Sequence, residues 1–312
     1  MEFSLANLDT PDGDRAALSL PAGYVRLDHL GGADYAQGLR GLLEAWNRVY
    51  PALRGLAARA RDLGRAAPGF IDAALARPST PVRFPNKLVC VGGVYRDHLR
   101  EFNLPAERWP KMPIFTRPPT TSLVGPGATV PIPPDTHEFD WEIELAVVMG
   151  ARLTDGDLDG AAAAIAGYAV GIDLTCRDLL DRGSPTGVDL IRAKAQDNMA
   201  PLGPALVPAA FVGDPQTLGM RLYVNGEIKQ DGTTADMLYS VYEQVATISR
   251  VMTLEPGDVI FTGSCAGSGA SIGQYLAPGD HIRAEIDRVG VLEVQIGPPR
   301  VRPAGFRDML YP

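Results

Sequence analysis

The sequence predicts a β-rich α+β fold, and three observations carry that prediction. Short apolar runs with strand length and bulk recur at Phe139 to Met149, Ala169 to Asp173, Met220 to Val224 and Val259 to Thr262. Nine prolines between Pro105 and Pro134 exclude a long helix there and favour extended segments with turns. Helical periodicity is confined to a few segments, chiefly Gly38 to Leu63, Leu158 to Ala166 and Met237 to Met252.

Residues 1–80 differ in texture from the rest. Phe3 to Leu8 and Ala16 to Leu20, joined through Pro11-Asp-Gly-Asp, predict a hairpin. Gly38 to Leu63 predicts a helix with a break at Pro51. Pro68 and Gly69 end it, and a second short helix is expected from Phe70 to Ala76. Residues 77–81 (Arg-Pro-Ser-Thr-Pro) read as a linker, which divides the chain into 1–80 and 81–312. Nothing in 1–80 offers a recognisable site, so that part is read as structural or oligomeric.

Lys87 to Gly92 predicts a buried strand. The helix expected after it places His98 and Glu101 at i and i+3, within touching distance. A carboxylate beside an imidazole fixes its tautomer and raises its basicity, as a general base requires. Residues 181–192 read as a loop containing Gly183, Pro185 and Gly187. Asn225-Gly226 predicts a hairpin turn between Met220–Val224 and Glu227–Gln230. The strand from Val259 enters a glycine-rich turn at 263–269. The run Gly269-Ala-Ser271-Ile-Gly273 matches a bare G-x-S-x-G. Pro278-Gly279 cuts off the helix a nucleophile elbow needs, and His281 is the one later histidine, so Ser271 is not read as a nucleophile.

Composition narrows the function. The chain has 312 residues, 46% hydrophobic and 21% charged, with a formal net charge of −8. A nucleic-acid binder carries a basic surplus or stripe, which is missing here. No apolar run reaches the roughly 18 residues of a membrane span, and no leader pattern opens the chain. Three cysteines, Cys90, Cys176 and Cys265, without a C-x-x-C, point to a reducing compartment. The cytoplasm is the expected location.

The stretch Phe139 to Met149 holds the chemistry. Side chains two apart share a strand face, so Asp140, Glu142 and Glu144 line up opposite Trp141, Ile143 and Leu145. Three carboxylates entering an apolar segment repel one another and lose hydration together. A divalent cation is the simplest offset, because hard cations take oxygen ligands. The alternative is a solvated face of an edge strand. Asp173 ends the next apolar run, and Arg177 and Lys194 follow as cations able to hold an anionic substrate.

The order E-x-E-L at 142–145, D-x-x-x-R-D at 173–178 and K-x-x-D-x-x-x-P-L-G-P at 194–204 resembles the fumarylacetoacetate hydrolase superfamily, from about Lys87 to Leu292. The resemblance implies a mainly β, mixed β-sheet roll with a small N-terminal α/β domain, assembled as a homodimer. It implies Mg2+ or Mn2+ held by Glu142, Glu144 and Asp173. Tyr95, His98 and Glu101 match the family's Y-x-x-H-x-x-E, a lid carrying a water-activating dyad. Lys194 then stabilises an oxyanion, Tyr95, Arg177, Thr262 and Ser264 contact substrate, and Asp140 and Asp197 support the ligands from behind. Four positions depart from the pattern: Arg117 replaces Lys in F-x-K-P, Leu180 replaces a common Gln, and Ser264-Cys265 replaces Thr-Pro in T-G-T-P.

The expected activity is metal-assisted hydrolysis of a carbon–carbon bond in a 2-oxo or β-diketo acid of acylpyruvate type, a step of aromatic or sugar-acid catabolism, with no nucleic acid or membrane partner. A 2-oxo acid decarboxylase and a dienedioate isomerase would share the same metal motif. The competing classes are a non-catalytic ligand-binding protein and a thiol enzyme using Cys176 or Cys265.

Overall fold

Alternation in the strand Ile143–Met149 shows how the molecule is layered. All seven residues are buried. Leu145, Val147 and Met149 point into one hydrophobic core, while Ala146 and Val148 point into another. A strand buried on both faces lies inside a layered structure, with each face covered by other elements. The computed structural model describes residues 2–181 and 187–301.

The large sheet follows the order Phe70–Asp72, Gly23–Arg26, Gly13–Leu20, Leu5–Thr10, Ala200–Pro208, Ile165–Ile172, Ile143–Met149, Val259–Ser264, Leu88–Val91 and Ile114–Arg117. A second sheet runs Glu227–Thr233, Gly219–Val224, His281–Ile286, Gly290–Gly297 and Thr129–Pro131. One core fills the space between the sheets, with Val147 and Val170 meeting Leu222, Ala284 and Leu292. The other core lies under the N-terminal helices, where Leu39, Leu42, Trp46 and Leu53 join Ala146, Val148 and Phe261. The fold is the expected mainly β, mixed α+β roll. The N-terminal hairpin is continuous with it, because Leu5 pairs with Leu206.

Several local expectations are corrected. Pro51 does not break its helix; it sits inside Trp46–Leu63, and the break falls at Ala45. The carbonyl Pro51 leaves without a partner belongs to Asn47, on the exposed face where water can reach it. Residues 70–72 form an edge strand on Gly23–Arg26 in place of the expected helix. The helix near 237–252 is shorter, Val241–Val251, and begins at a Ser240–Glu243 capping box that the wider periodicity hid. Within 181–192, residues 190–192 are already helical, in Leu190–Lys194. Gly183 and Pro185 lie outside the described residues. A four-residue helix, Gly269–Ile272, does follow the glycine-rich turn, and there the Ser271 hydroxyl donates to the Ser268 carbonyl. Among the described residues, no helix is long and apolar enough to cross a membrane.

Candidate metal centre and active site

The continuous strand expected from Phe139 to Met149 is interrupted, and the interruption builds the site. Phe139–Asp140 pairs with Thr175–Cys176, while Ile143 onward pairs with Ile165–Ile172. Trp141 and Glu142 lie between the two strands. There the Asp173 N–H donates to the Glu142 carbonyl, 2.8 Å away, drawing the two acidic segments together. The Ile143 N–H is taken by Gln230 Oε1 at 2.9 Å. Glu144 sits beside a bulge in the pairing with Val259–Ser264, and the Gly263 N–H donates to its Oε2 at 2.7 Å. Gly263 has φ +89°, and a Cβ there would strike the Val94 side chain, so this approach requires glycine.

Glu142, Glu144 and Asp173 are brought together as the sequence suggested. Each offers an oxygen within 4.8 Å of the others, and all three are buried. Burial, then the neighbouring Glu142 carboxylate, pushes Glu144 up to about 8. Burial also acts on Glu142, but Arg177, Lys194 and His98 outweigh it and hold Glu142 well below the usual carboxylate range. A dry carboxyl that retains its proton beside an ionised one is short of positive charge. A divalent cation supplies that charge and matches the all-oxygen donor set. Glu142, Glu144 and Asp173 therefore fit Mg2+ or Mn2+.

Two cations face the carboxylates. Lys194, at the end of Leu190–Lys194, donates to Glu142 Oε2 at 2.6 Å and Asp173 Oδ2 at 2.5 Å. Arg177 donates from Nε to Asp140 Oδ2 at 2.7 Å and from Nη2 to Glu142 Oε1 at 2.5 Å. Asp140 also accepts from the Gly269 and Ala270 N–H groups, so it ties the glycine-rich turn to Arg177. The other expected supporting residue, Asp197, is not at the centre. Its half-exposed carboxylate pairs with Arg300.

His98 and Glu101 meet on the helix Arg96–Glu101, with His98 Nδ1 2.6 Å from Glu101 Oε1. That leaves His98 Nε2 facing the centre, 3.8 Å from Glu142 Oε1. Glu101 also accepts from the Gly267 N–H at 2.7 Å and the Ser268 hydroxyl at 3.0 Å. Burial raises the Glu101 pKa, but the His98, Gly267 and Ser268 contacts outweigh it and the carboxyl stays below its ordinary range.

Three expected substrate contacts point elsewhere in this conformation. Tyr95 is wholly buried, with its hydroxyl on Met220 Sδ at 3.3 Å. Thr262 gives its hydroxyl to the Leu145 carbonyl at 2.8 Å, as a strand residue held to its neighbour. Ser264 accepts from Gln230 Nε2 at 2.9 Å. Two residues of the centre escaped the sequence reading. Gln230 lies in the second sheet, and its side chain braces Ile143, Ser264 and Cys265. No local pattern announces it. Arg117 lies in the stretch from Ile114 to Pro118, which the resemblance sets along the site, but the sequence gives it no partner. It is buried, and it donates to the Met199 and Leu174 carbonyls while touching Asp173 Oδ1.

Residues 87–297 match the fumarylacetoacetate (FAA) hydrolase C-terminal family. The chain belongs to the fumarylacetoacetate hydrolase family. Among its curated relatives is the human mitochondrial oxaloacetate tautomerase FAHD2B, 40% identical over 214 residues, 68% of this chain and 67% of that protein. A maleylpyruvate hydrolase from Sphingobium sp. SYK-6, solved with manganese(II) and pyruvate, superposes with a TM-score of 0.76 at 29% identity, covering 95% of this chain and 100% of that one. A 2-hydroxyhepta-2,4-diene-1,7-dioate isomerase from Mycobacterium marinum gives a TM-score of 0.68 at 27% identity, covering 95% and 98%. This member of the fumarylacetoacetate hydrolase family is thus an enzyme whose similar structures span hydrolase and isomerase reactions.

Proposed function

We propose that the chain hydrolyses a carbon–carbon bond in an acylpyruvate-type 2-oxo acid. The observation that carries this reading is the His98–Glu101 pair, with Nδ1 held by a carboxylate and Nε2 directed at the three-carboxylate centre. A divalent cation held by Glu142, Glu144 and Asp173 supplies Lewis-acid stabilisation of negative charge on the 2-oxo acid head. His98 Nε2 takes a proton from water, and Glu101 stabilises the resulting imidazolium. The water oxygen bonds to the far carbonyl carbon, and Lys194 offsets the charge that develops. The bond between the acyl carbon and the three-carbon fragment then breaks. Its electron pair leaves with that fragment, which recovers the proton from His98. Arg177 orients the acid head.

A second reading is tautomerisation of oxaloacetate. It is favoured by the 40% identity to a protein of that name, and it would use His98 to move a proton between carbon and oxygen. The test is to offer fumarylpyruvate, acetylpyruvate and oxaloacetate to the Mn2+-loaded and the chelator-treated chain, following products by mass and proton NMR. Metal-dependent release of pyruvate from fumarylpyruvate or acetylpyruvate supports hydrolysis. Enol–keto exchange of oxaloacetate without acylpyruvate cleavage replaces it with the second reading. The homodimer and the cytoplasmic location belong to the same proposal and are tested by light scattering and cell fractionation.

A further inference from the structure

The charged groups of the centre pair with one another. Arg177 gives Nε to Asp140 and Nη2 to Glu142, and Lys194 gives its ammonium to Glu142 and Asp173. Among the described residues, aromatic and aliphatic side chains also stand beside these cations. The Phe102 ring, just past the helix Arg96–Glu101, stands edge-to-face with the His98 imidazole, centroids 5.3 Å apart at 81°. The Arg177 guanidinium lies over the same ring, 5.7 Å from its centroid. Lys194 Nζ lies 5.7 Å from the centroid of Phe115. Leu180 closes the turn that begins at Arg177, its N–H donating to the Arg177 carbonyl. Phe102, Phe115 and Leu180 are all half-buried, and none of these side chains carries a hydrogen-bond donor.

We propose that Phe102 is a specificity-determining residue, and that the site selects 2-oxo acids with an apolar or aromatic far arm over those ending in a second carboxylate. This rests on the hydrolytic reading above, which places the reacting carbonyl within reach of His98. The acid head is recognised by charge. The arm beyond the carbonyl leaves on the His98 side, where the ring in contact with both His98 and Arg177 is that of Phe102. An aromatic arm gains offset or edge-to-face contact there. A carboxylate arm loses hydration against the ring and meets no donor from it.

The test compares benzoylpyruvate, acetylpyruvate and fumarylpyruvate on the Mn2+-loaded full chain and on Phe102→Ala. Benzoylpyruvate is expected to exceed fumarylpyruvate in kcat/KM by about tenfold or more. Phe102→Ala is expected to lower the benzoylpyruvate value about tenfold and the acetylpyruvate value by no more than about twofold, with Mn2+ affinity retained. A loss of packing alone would lower all three substrates alike, and that result overturns the proposal, as does a preference for fumarylpyruvate. If no acylpyruvate is cleaved, the hydrolytic reading fails, and binding decides this one. Calorimetry would compare 4-phenyl-2-oxobutanoate with 2-oxoglutarate on the Mn2+-loaded chain. Tighter binding of the phenyl acid, lost in Phe102→Ala, supports the proposal. Equal affinity, a preference for 2-oxoglutarate, or no binding of either overturns it.

Discussion

Arg117 meets Asp173 inside the core, touching Oδ1 while Lys194 holds Oδ2. The guanidinium is also fixed by the Leu174 and Met199 carbonyls, and its departure would strand the buried Leu174 carbonyl. Asp173 is therefore aimed by a group that belongs neither to the strand carrying Glu144 nor to the break carrying Glu142.

Arg117→Lys keeps the charge and loses the fork. Partners that orient a metal ligand typically contribute tenfold or more to affinity, so this variant is expected to bind Mn2+ about tenfold more weakly. Arg117→Met removes the charge as well and leaves the buried Leu174 carbonyl without its donor, at about 1–3 kcal/mol, while the Met199 carbonyl keeps the Leu174 N–H. Its melting temperature is expected to fall clearly below that of Arg117→Lys. Calorimetric Mn2+ titration and differential scanning calorimetry check the two outcomes. Unchanged Mn2+ affinity in Arg117→Lys would show that Asp173 needs only a nearby charge.

The second expectation concerns pH. Glu144 is pushed up to about 8 by burial and then by Glu142. The folded metal-free chain therefore holds this proton from the ordinary carboxylate range up to about 8. Its folded pKa exceeds the unfolded one, so the stability it contributes is present at low pH and is lost as pH rises through that window. A metal ion must displace the same proton, so Mn2+ affinity is expected to climb with pH and level off above about 8. Titration near pH 7 in two buffers of different ionisation enthalpy measures the release. No proton released would mean that Glu144 is already ionised without metal.

Much of this centre was legible in the chain because its parts obey short-range rules. Strand alternation put Glu142 and Glu144 on one face, and helical spacing put His98 beside Glu101. The residues that escaped depend on contacts remote in sequence. Gln230 reaches Ile143 from another sheet, and Arg117 reaches Asp173 across the core. The strand break at Trp141–Glu142 was also missed, because the apolar bulk of 139–149 is continuous. The Asp173 N–H to the Glu142 carbonyl is the last bond in the register of Ile143 with Ile172, and beside it the Gln230 amide takes the Ile143 N–H. The over-long helix at 237–252 has a simpler cause, since periodicity extended past the cap at Ser240.

Glu101 accepts from His98, the Gly267 N–H and the Ser268 hydroxyl, which holds the helix Arg96–Glu101 against the glycine-rich turn. Glu101→Gln keeps the size and removes the charge that stabilises the His98 imidazolium. Its kcat is expected to fall by about 10²–10⁴, with Mn2+ affinity unchanged, because Glu101 is not a metal ligand. Steady-state kinetics beside Mn2+ titration separates the two. A fall in metal affinity matching the fall in kcat would move Glu101 from proton handling to support of the metal cage.

The thiol reading leads to the opposite expectation, an absence of effect. Cys90, Cys176 and Cys265 are all buried, and burial is the largest influence pushing each thiol up to about 12. A thiol with a pKa near 12 is about one part in ten thousand thiolate at pH 8, and the thiolate is the reactive form. Cys265 is further enclosed by the Gln230 amide, which donates to its carbonyl at 2.7 Å. Iodoacetamide at pH 8 is therefore expected to leave turnover intact over an hour, with intact-mass analysis finding no adduct on the folded chain and three after denaturation. Rapid inactivation that tracks labelling of Cys265 would place a reactive thiol beside Ser264 and reopen covalent catalysis.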